Sequence, residues 1–160
     1  MAIDMFLKLK DVPGESVDKE YTNCIDILSW NWGMSQAGTT HMGSGGGAGK
    51  VSVSDLTIKK YVDKSSLQLT ANSCSGKHID SGSLYVRKAG GDKPLTYIQI
   101  DMTEIIISSV MIQGTQNDEL ILEEIGLNFS KFAYTYYIQK VDGTGTKVGP
   151  ISWDIAKNSK

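Results

Sequence analysis

The chain has 160 residues, and its 16 Lys and Arg residues nearly balance 18 Asp and Glu residues, giving a formal net charge of −2. Hydrophobic residues make up 40% and charged residues 21%, which excludes a disordered or fibrous chain. The charge balance argues against a free-standing nucleic-acid binder. No apolar run approaches the roughly 18 residues that a membrane span needs. We therefore expect one domain over residues 1–160, with no membrane insertion.

The first residues predict a strand, because Ile3, Met5 and Leu7 alternate with polar positions. Asp4 and Lys8 interrupt this apolar stretch, so it lacks the apolar segment of a Sec signal peptide. We expect the protein to assemble in the cytoplasm and to leave the cell, if it does, without a classical signal.

Period-two alternation continues along most of the chain and predicts further strands. Trp30 and Trp32 share one strand face, whereas Ser29 and Asn31 share the other. The apolar parity switches within 51–62, which predicts a bend near Asp55. Two strands are expected within 95–112, separated at 101–104, and alternation predicts more strands over 121–129, 132–138 and 151–155.

One segment reads as a helix of about three turns. Residues 63–66 offer an N-terminal cap, Leu67, Ala71 and Cys74 recur at helical spacing, and Gly76 stands where a C-terminal cap belongs. Many strands with one helix predict a mainly β fold, a closed β-barrel of two packed sheets capped by the helix.

A glycine-rich stretch over 44–51 is partly similar to a phosphate-binding loop motif. The motif requires Gly at its first position and Ser or Thr after the Lys, but Ser44 and Val51 stand there. A strand rather than a helix follows, so no helix N-terminus is available for phosphate. The glycines predict an extended loop that allows close backbone contacts.

Catalytic and metal-binding patterns are weak. His41, Ser54 and Asp55 can be combined into a hydrolase triad, but no nucleophile elbow accompanies them. Cys24 and Cys74 are isolated and lack metal-ligand spacing with either histidine. The sequence therefore predicts no enzyme, no cofactor and no metal site.

Seven segments together carry a family resemblance. They occur in family order at 1–8, 11–16, 29–36, 41–50, 60–64, 75–78 and 86–90, and include Ser29-Trp-Asn-Trp-Gly-Met-Ser-Gln36 and His41-Met-Gly-Ser-Gly-Gly-Gly-Ala-Gly-Lys50. The chain resembles the haemolysin-coregulated protein (Hcp) family of bacterial type VI secretion systems, densest over residues 1–90.

The resemblance implies a tube protein related to those of phage tails. It implies hexameric rings that stack into an inner tube, a contractile sheath that propels the tube, a VgrG-type spike, and effectors carried in the ring lumen. Since the chain ends at Lys160, we expect no fused effector domain. Ser29 and Asn31 are the candidates for lumen and effector contact. The candidates for the ring and stacking loop are His41, Met42, Gly43, Ser44, Gly45, Gly46, Gly47, Gly49 and Lys50.

Two alternatives remain open. The first is a monomeric β-barrel that binds a small ligand or carbohydrate through Trp30 and Trp32. The second, which has less support, is a hydrolase or nucleotide enzyme that uses His41, Lys50, Ser54 and Asp55. The native mass in dilute buffer separates a ring from a 17.4 kDa monomer.

Overall fold

The computed structural model describes residues 2–41, 43, 49–88 and 93–160. Within these ranges the fold is mainly β with one short helix. Its elements in chain order are β1 (Ile3–Leu9), β2 (Ile25–Asp26), β3 (Ser29–Asn31), β4 (Met34–Ser35), β5 (Ser52–Val53), β6 (Leu56–Tyr61), α1 (Ser65–Ser75), β7 (Ile79–Lys88), β8 (Leu95–Gln113), β9 (Leu122–Gln139) and β10 (Gly145–Asp154).

The main sheet is antiparallel and curls into a half-barrel. Its strands follow the order β2-β1-β7-β8-β9-β6-β3, and β10 pairs with β9 outside that path. The chain itself links the two edges of the curl, because Ile27 N donates to Met5 O at 2.9 Å and Leu28 N donates to Lys59 O at 2.8 Å. Hydrogen-bonded closure between β2 and β3 is not seen in the part of the chain that the structure describes. The mainly β fold with one helix is confirmed, and the main sheet is a curled half-barrel for which full closure is not shown among the described residues.

The second sheet is small, and it explains the parity switch near Asp55. β4 and β5 pair as Met34↔Val53 and Ser35↔Ser52. The chain leaves this sheet after Val53 and enters β6 of the main sheet at Leu56. The predicted bend therefore lies between two strands that belong to different sheets.

The expected break within 95–112 is wrong, because β8 runs unbroken over 19 residues. Glu104 has a φ of 54° in the middle of this strand. Met102 and Ile105 have opposite parity, yet both lie in the same core. A change of strand face at Glu104 therefore produces the pattern that indicated two strands. β9 is likewise one strand of 18 residues, and the core parity changes between Phe129 and Phe132.

The helix forms where it was predicted, but its predicted buried face is wrong. Gly76 ends it with a left-handed φ of 67°, as expected of a C-terminal cap. Leu67 is 82% exposed, however, and Ala71 and Cys74 are also exposed. The buried residues are Ser65, Ser66, Leu69 and Asn72. A largely polar face of the helix therefore packs on the sheet, where Ser66 contacts the buried charges of Lys60 and Glu123.

Candidate assembly surfaces

The outer edge of the main sheet carries an exposed apolar stripe, which we call the edge patch. It comprises Tyr134, Tyr136 and Ile138 of β9 with Val148 and Ile151 of β10, exposed by 37% to 65%. Register places Tyr136 opposite Val148 and Tyr134 opposite Ile151, so these side chains share one face. The same face holds Phe132 and Met102, which are buried in the core. The apolar face of the sheet therefore continues past the point where the chain covers it.

A groove lies beside the edge patch and joins it at Ile151. Its volume is about 430 Å³ and its apolar lining includes Met34, Val53, Phe132 and Trp153. We call this feature the β10 groove. It lies between the small sheet and β10, and it is open to solvent.

The far end of the β8–β9 hairpin carries exposed apolar side chains on both faces. Met111 pairs with Glu124 and Ile112 pairs with Glu123, so their side chains lie on opposite faces. Both are more than 60% exposed, and Leu120 in the connecting segment is 58% exposed. We call Met111, Ile112, Leu120 and Ile121 the hairpin tip.

The lumen candidates lie on a polar face of the sheet. Ser29 and Asn31 are exposed and stand opposite Lys59 and Thr57 of β6. Trp30, between them, is partly buried and packs against the core. The predicted division of β3 into a core face and a polar face is therefore correct.

The stacking-loop candidates are only partly described. His41, Gly43, Gly49 and Lys50 are exposed. Pairing of β4 with β5 brings the two ends of this loop together at Ser35 and Ser52. Met42, Ser44, Gly45, Gly46 and Gly47 lie outside the described residues.

The proposed hydrolase residues meet only in part. Lys50, Ser54 and Asp55 line a cleft of about 310 Å³, together with His78 rather than His41. Ser54 Oγ donates to Gly33 O at 2.8 Å and accepts from Gly33 N at 3.0 Å. The Asp55 carboxylate accepts hydrogen bonds from Ser108 and Asn128 at 2.6 and 2.8 Å. These hydrogen bonds engage both side chains, and among the described residues no hydrogen bond joins Ser54 Oγ to the Asp55 carboxylate.

The tryptophans of the ligand-binding alternative pack inward. The Trp32 ring lies 4.8 Å from the Phe132 ring in an edge-to-face arrangement and 6.0 Å from Phe129. Both Trp30 and Trp32 contact the core cluster. Their aromatic area stabilises the fold, as the sequence predicted.

Sequence reasoning missed a buried ionic cluster beneath α1. The side chains of Lys60 and Glu123 are fully buried, with Nζ 3.5 Å from Oε2. Lys60 Nζ also lies 3.0 Å from Asp63 Oδ1 and donates to Ser66 Oγ at 3.0 Å. Ser66 Oγ in turn donates to Glu123 Oε2 at 2.6 Å. This cluster explains the polar face of the helix, because the serine satisfies charges that a leucine would leave unpaired.

The missed charges left a signal in the strand pattern. Leu56 and Ile58 define the core parity of β6, and Lys60 occupies the next position of that parity. Glu123 likewise precedes Ile125 on the core parity of β9. When one strand has a positive charge at a core position and another strand has a negative charge at a core position, the two predict a buried ion pair. The prediction requires knowing that the strands are neighbours.

A second cluster ties the 11–24 segment to the outer face of β1 and β7. The guanidinium of buried Arg87 contacts the carboxylates of Asp18 and Asp4, the latter at 3.0 Å. Tyr21 stacks on Phe6 with ring centroids 4.6 Å apart. The hydrogen bond from Arg87 lowers the pKa of Asp18, reinforced by the backbone amides of Glu20 and Tyr21.

Within the described ranges, the structure offers no helix long and apolar enough to cross a membrane. The same ranges contain no group of three His, Cys, Asp or Glu side chains that could hold a metal ion. The edge patch, the β10 groove and the hairpin tip are prominent apolar features of the described surface.

Comparison with known proteins decides the family. Residues 6–136 match the family model described as type VI secretion system effector, Hcp. The chain belongs to the Hcp family of type VI secretion proteins. It is 46% identical to Protein hcp1 of Pseudomonas aeruginosa over 99% of this chain and 98% of that protein.

Solved structures agree with this assignment. The fold is similar to that of a type six secretion system protein, with a TM-score of 0.92, 27% identity and 99% coverage of both chains. It is also similar to Hcp1 from Salmonella typhimurium, with a TM-score of 0.80, 36% identity and 99% coverage of both chains. The family is one of secreted type VI tube proteins, so the resemblance drawn from the sequence is confirmed.

Proposed function

We propose that the chain, acting as one tube domain, is the structural subunit of a type VI inner tube. Six copies form a ring, and rings stack into a tube that a contractile sheath propels, with a VgrG-type spike at its end. The subunit assembles in the cytoplasm and leaves the cell when the machine fires. Family membership and 46% identity to a Pseudomonas aeruginosa Hcp support this proposal.

The observation that carries the proposal is the edge patch. β10 is an edge strand, and an apolar edge of this length invites pairing with another chain. Large exposed apolar patches mark interaction sites. Burial of each half-exposed side chain against a neighbouring copy contributes on the order of 1 kcal/mol. A ring wall is therefore a physically suitable place for this surface.

Native mass tests the ring. We expect the purified parent to have the mass of six 17.4 kDa chains. A Tyr136→Gln/Val148→Gln variant should fold, since both side chains are exposed, but should shift toward the monomer mass. A parent that stays monomeric at micromolar concentration would rule out the ring.

The lumen proposal concerns the polar face of β3. We propose that Ser29 and Asn31 face the ring lumen, where a neutral amide hydrogen-bonds varied cargo without imposing a charge. Asn31→Arg should leave the ring mass unchanged and reduce co-purification of a cognate effector, because a long cation then projects from every subunit. Lys19→Arg, in the segment over the outer face, serves as a control for added guanidinium. Equal effector recovery from Asn31→Arg and parent rings would remove Asn31 from the cargo surface.

The loop proposal concerns stacking. We propose that the loop containing His41, Gly43, Gly49 and Lys50 contacts the next ring. Its ends are held by β4 and β5, so deletion of 43–49 should preserve the subunit and the single ring. Tube length measured by electron microscopy should fall. Tubes of parental length in the deletion variant would contradict this role.

A further inference from the structure

Residues 17–22 form a loop whose base is closed by its own backbone. Gly14 N donates to Asn23 O at 2.8 Å, and Asn23 N donates to Ser16 O at 2.8 Å. Ser16 N also donates to Cys24 O at 3.0 Å. These hydrogen bonds hold the two ends of the loop together, so its shape depends on local contacts rather than on the sheet beneath it.

The loop contacts the sheet chiefly through Asp18 and Tyr21. Arg87 Nη1 donates to Asp18 Oδ1 at 3.0 Å, and the same guanidinium also contacts Oδ2. The Tyr21 ring packs against Phe6 and Tyr85, with centroid distances of 4.6 and 4.8 Å. A carboxylate and an aromatic ring, three positions apart in the sequence, therefore anchor the loop on the outer face of β1 and β7.

The surface under the loop keeps polar partners of its own. Arg87 also donates to Asp4 Oδ2 at 3.0 Å, so its charge stays paired when the loop leaves. Nε of Arg87 is buried and has no hydrogen-bond partner among the described residues, which leaves one donor for an incoming acceptor. The guanidinium carbon also lies 5.2 Å from the centroid of the Phe6 ring. A guanidinium beside aromatic rings suits a segment that carries both a carboxylate and an aromatic side chain.

A cleft of about 360 Å³ lies between the loop and β1. Its lining includes Ile3, Asp4 and Phe6 of β1, and Val17 and Asp18 of the loop. The cleft is open to solvent. A second segment can therefore approach the loop anchors from this side while the loop is still in place.

We propose that Phe6, Tyr85 and Arg87 form a receptor for a protein segment with an acidic and an aromatic residue three positions apart. The 17–22 loop fills this receptor in the single chain as an autoinhibitory contact. Because the loop is tethered, it competes at an effective concentration in the millimolar range, and a partner must bind more tightly than the loop does. The receptor lies on β1 and β7, apart from the edge patch on β9 and β10, so the inference does not rest on the proposed ring.

The loop itself supplies the probe. A fluorescently labelled cyclic peptide of residues 14–24, carrying Cys24→Ser, presents the acidic and aromatic anchors without a free thiol. Cyclisation reproduces the hydrogen-bonded base of the loop and lowers the cost of ordering the peptide on binding. The control probe is the same peptide with Asp18→Ala/Tyr21→Ala.

The opened subunit is the full chain with Asp18→Ala/Tyr21→Ala, which removes both anchors while Arg87 keeps its other carboxylate partner. The matched control is Val17→Ala/Lys19→Ala, because both side chains belong to the loop and are exposed. Circular dichroism and thermal unfolding verify the fold of each variant. Tyr21→Ala alone replaces the double variant if the latter does not fold, since it vacates the aromatic part of the receptor.

Fluorescence anisotropy with protein up to about 1 mM, the range of the effective concentration, measures binding. We expect the opened subunit to bind the peptide at least about tenfold more tightly than the parent and the matched control do. The control peptide should not bind. Absence of binding to a folded opened subunit, or equal binding of the two peptides, would overturn the receptor. Equal affinity of the parent and the opened subunit would overturn its occupation by the loop.

Discussion

Two aspartates near the 11–24 segment have opposite effects on stability. Arg87 lowers the pKa of Asp18 in the folded chain. The ionised carboxylate therefore stabilises the fold fully at a pH above the unfolded pKa, about 4. This stability is lost as the pH falls from the unfolded pKa through the lower folded pKa. The pKa of Asp26 is raised, first by lost hydration and then by the charges of Asp63, Asp18 and Asp4. Its ionised form therefore costs stability: the loss begins as the pH rises above the ordinary unfolded pKa and is complete above the raised folded pKa.

The same substitution should consequently have opposite signs at the two positions. Asp18→Asn is expected to lower the melting temperature at pH 7, and Asp26→Asn is expected to raise it. At pH 3 both differences should shrink. The unfolded Asp18 is then largely protonated, so part of the stability gained from its lowered folded pKa is lost, and Asp26, with its raised pKa, is neutral in the folded chain. Thermal unfolding at both pH values provides the measurement, and equal shifts at pH 7 would contradict the assignment.

The buried pair of Lys60 and Glu123 predicts a non-additive result. Lys60→Met leaves the Glu123 carboxylate buried without its cation and should cost about 3–5 kcal/mol in the free energy of unfolding. The double variant Lys60→Met/Glu123→Leu removes both charges and should recover most of that loss. Urea unfolding of the single and double variants tests the coupling, and additive losses would argue against it.

At the scale of the element, only one of the two leucines of α1 packs against the rest of the protein. Leu69 is fully buried and Leu67 is 82% exposed, although both lie in the same two turns. Leu69→Ala should therefore cost about 2–5 kcal/mol of unfolding free energy, whereas Leu67→Ala should change it by less than about 0.5 kcal/mol. Equal losses, measured by chemical denaturation, would mean that Leu67 is packed as closely as Leu69.

At the scale of the whole molecule, the two cysteines bear on assembly. Cys24 is buried, and burial raises the pKa of its thiol, whereas Cys74 is exposed on α1. The native protein should react with one equivalent of a thiol reagent, at Cys74. Cys74 lies outside the edge patch, the β10 groove and the hairpin tip. The native mass should thus be the same with and without reductant, and in a Cys24→Ser/Cys74→Ser variant. Loss of the assembly in that variant would show that a thiol supports it.

Much of the fold follows from local pattern. Period-two alternation identified the strand character of β1, β3 and β9 and the shared parity of Trp30 and Trp32. The cap residues at 63–66 and Gly76 identified the helix between them. These features depend on side-chain periodicity and backbone conformation, which neighbouring residues along the chain determine. The ordered motifs likewise carried the family, because a series of them along one chain is far more specific than any single one.

The tertiary structure alone decided what depends on pairing between distant strands. The pairing of β6 with β9 places Lys60 beside Glu123, and that buried charge pair selects the polar face of α1 in place of the face of Leu67. At Glu104, which has a positive φ, the core-facing side of β8 switches parity while the strand continues. In the sequence this switch looks like a break between two strands. The exposure of Tyr136 follows from the curl of the sheet, which leaves the last strands uncovered. Local periodicity reports which residues alternate, but only the arrangement of strands determines which alternating face meets protein and which is left for a partner.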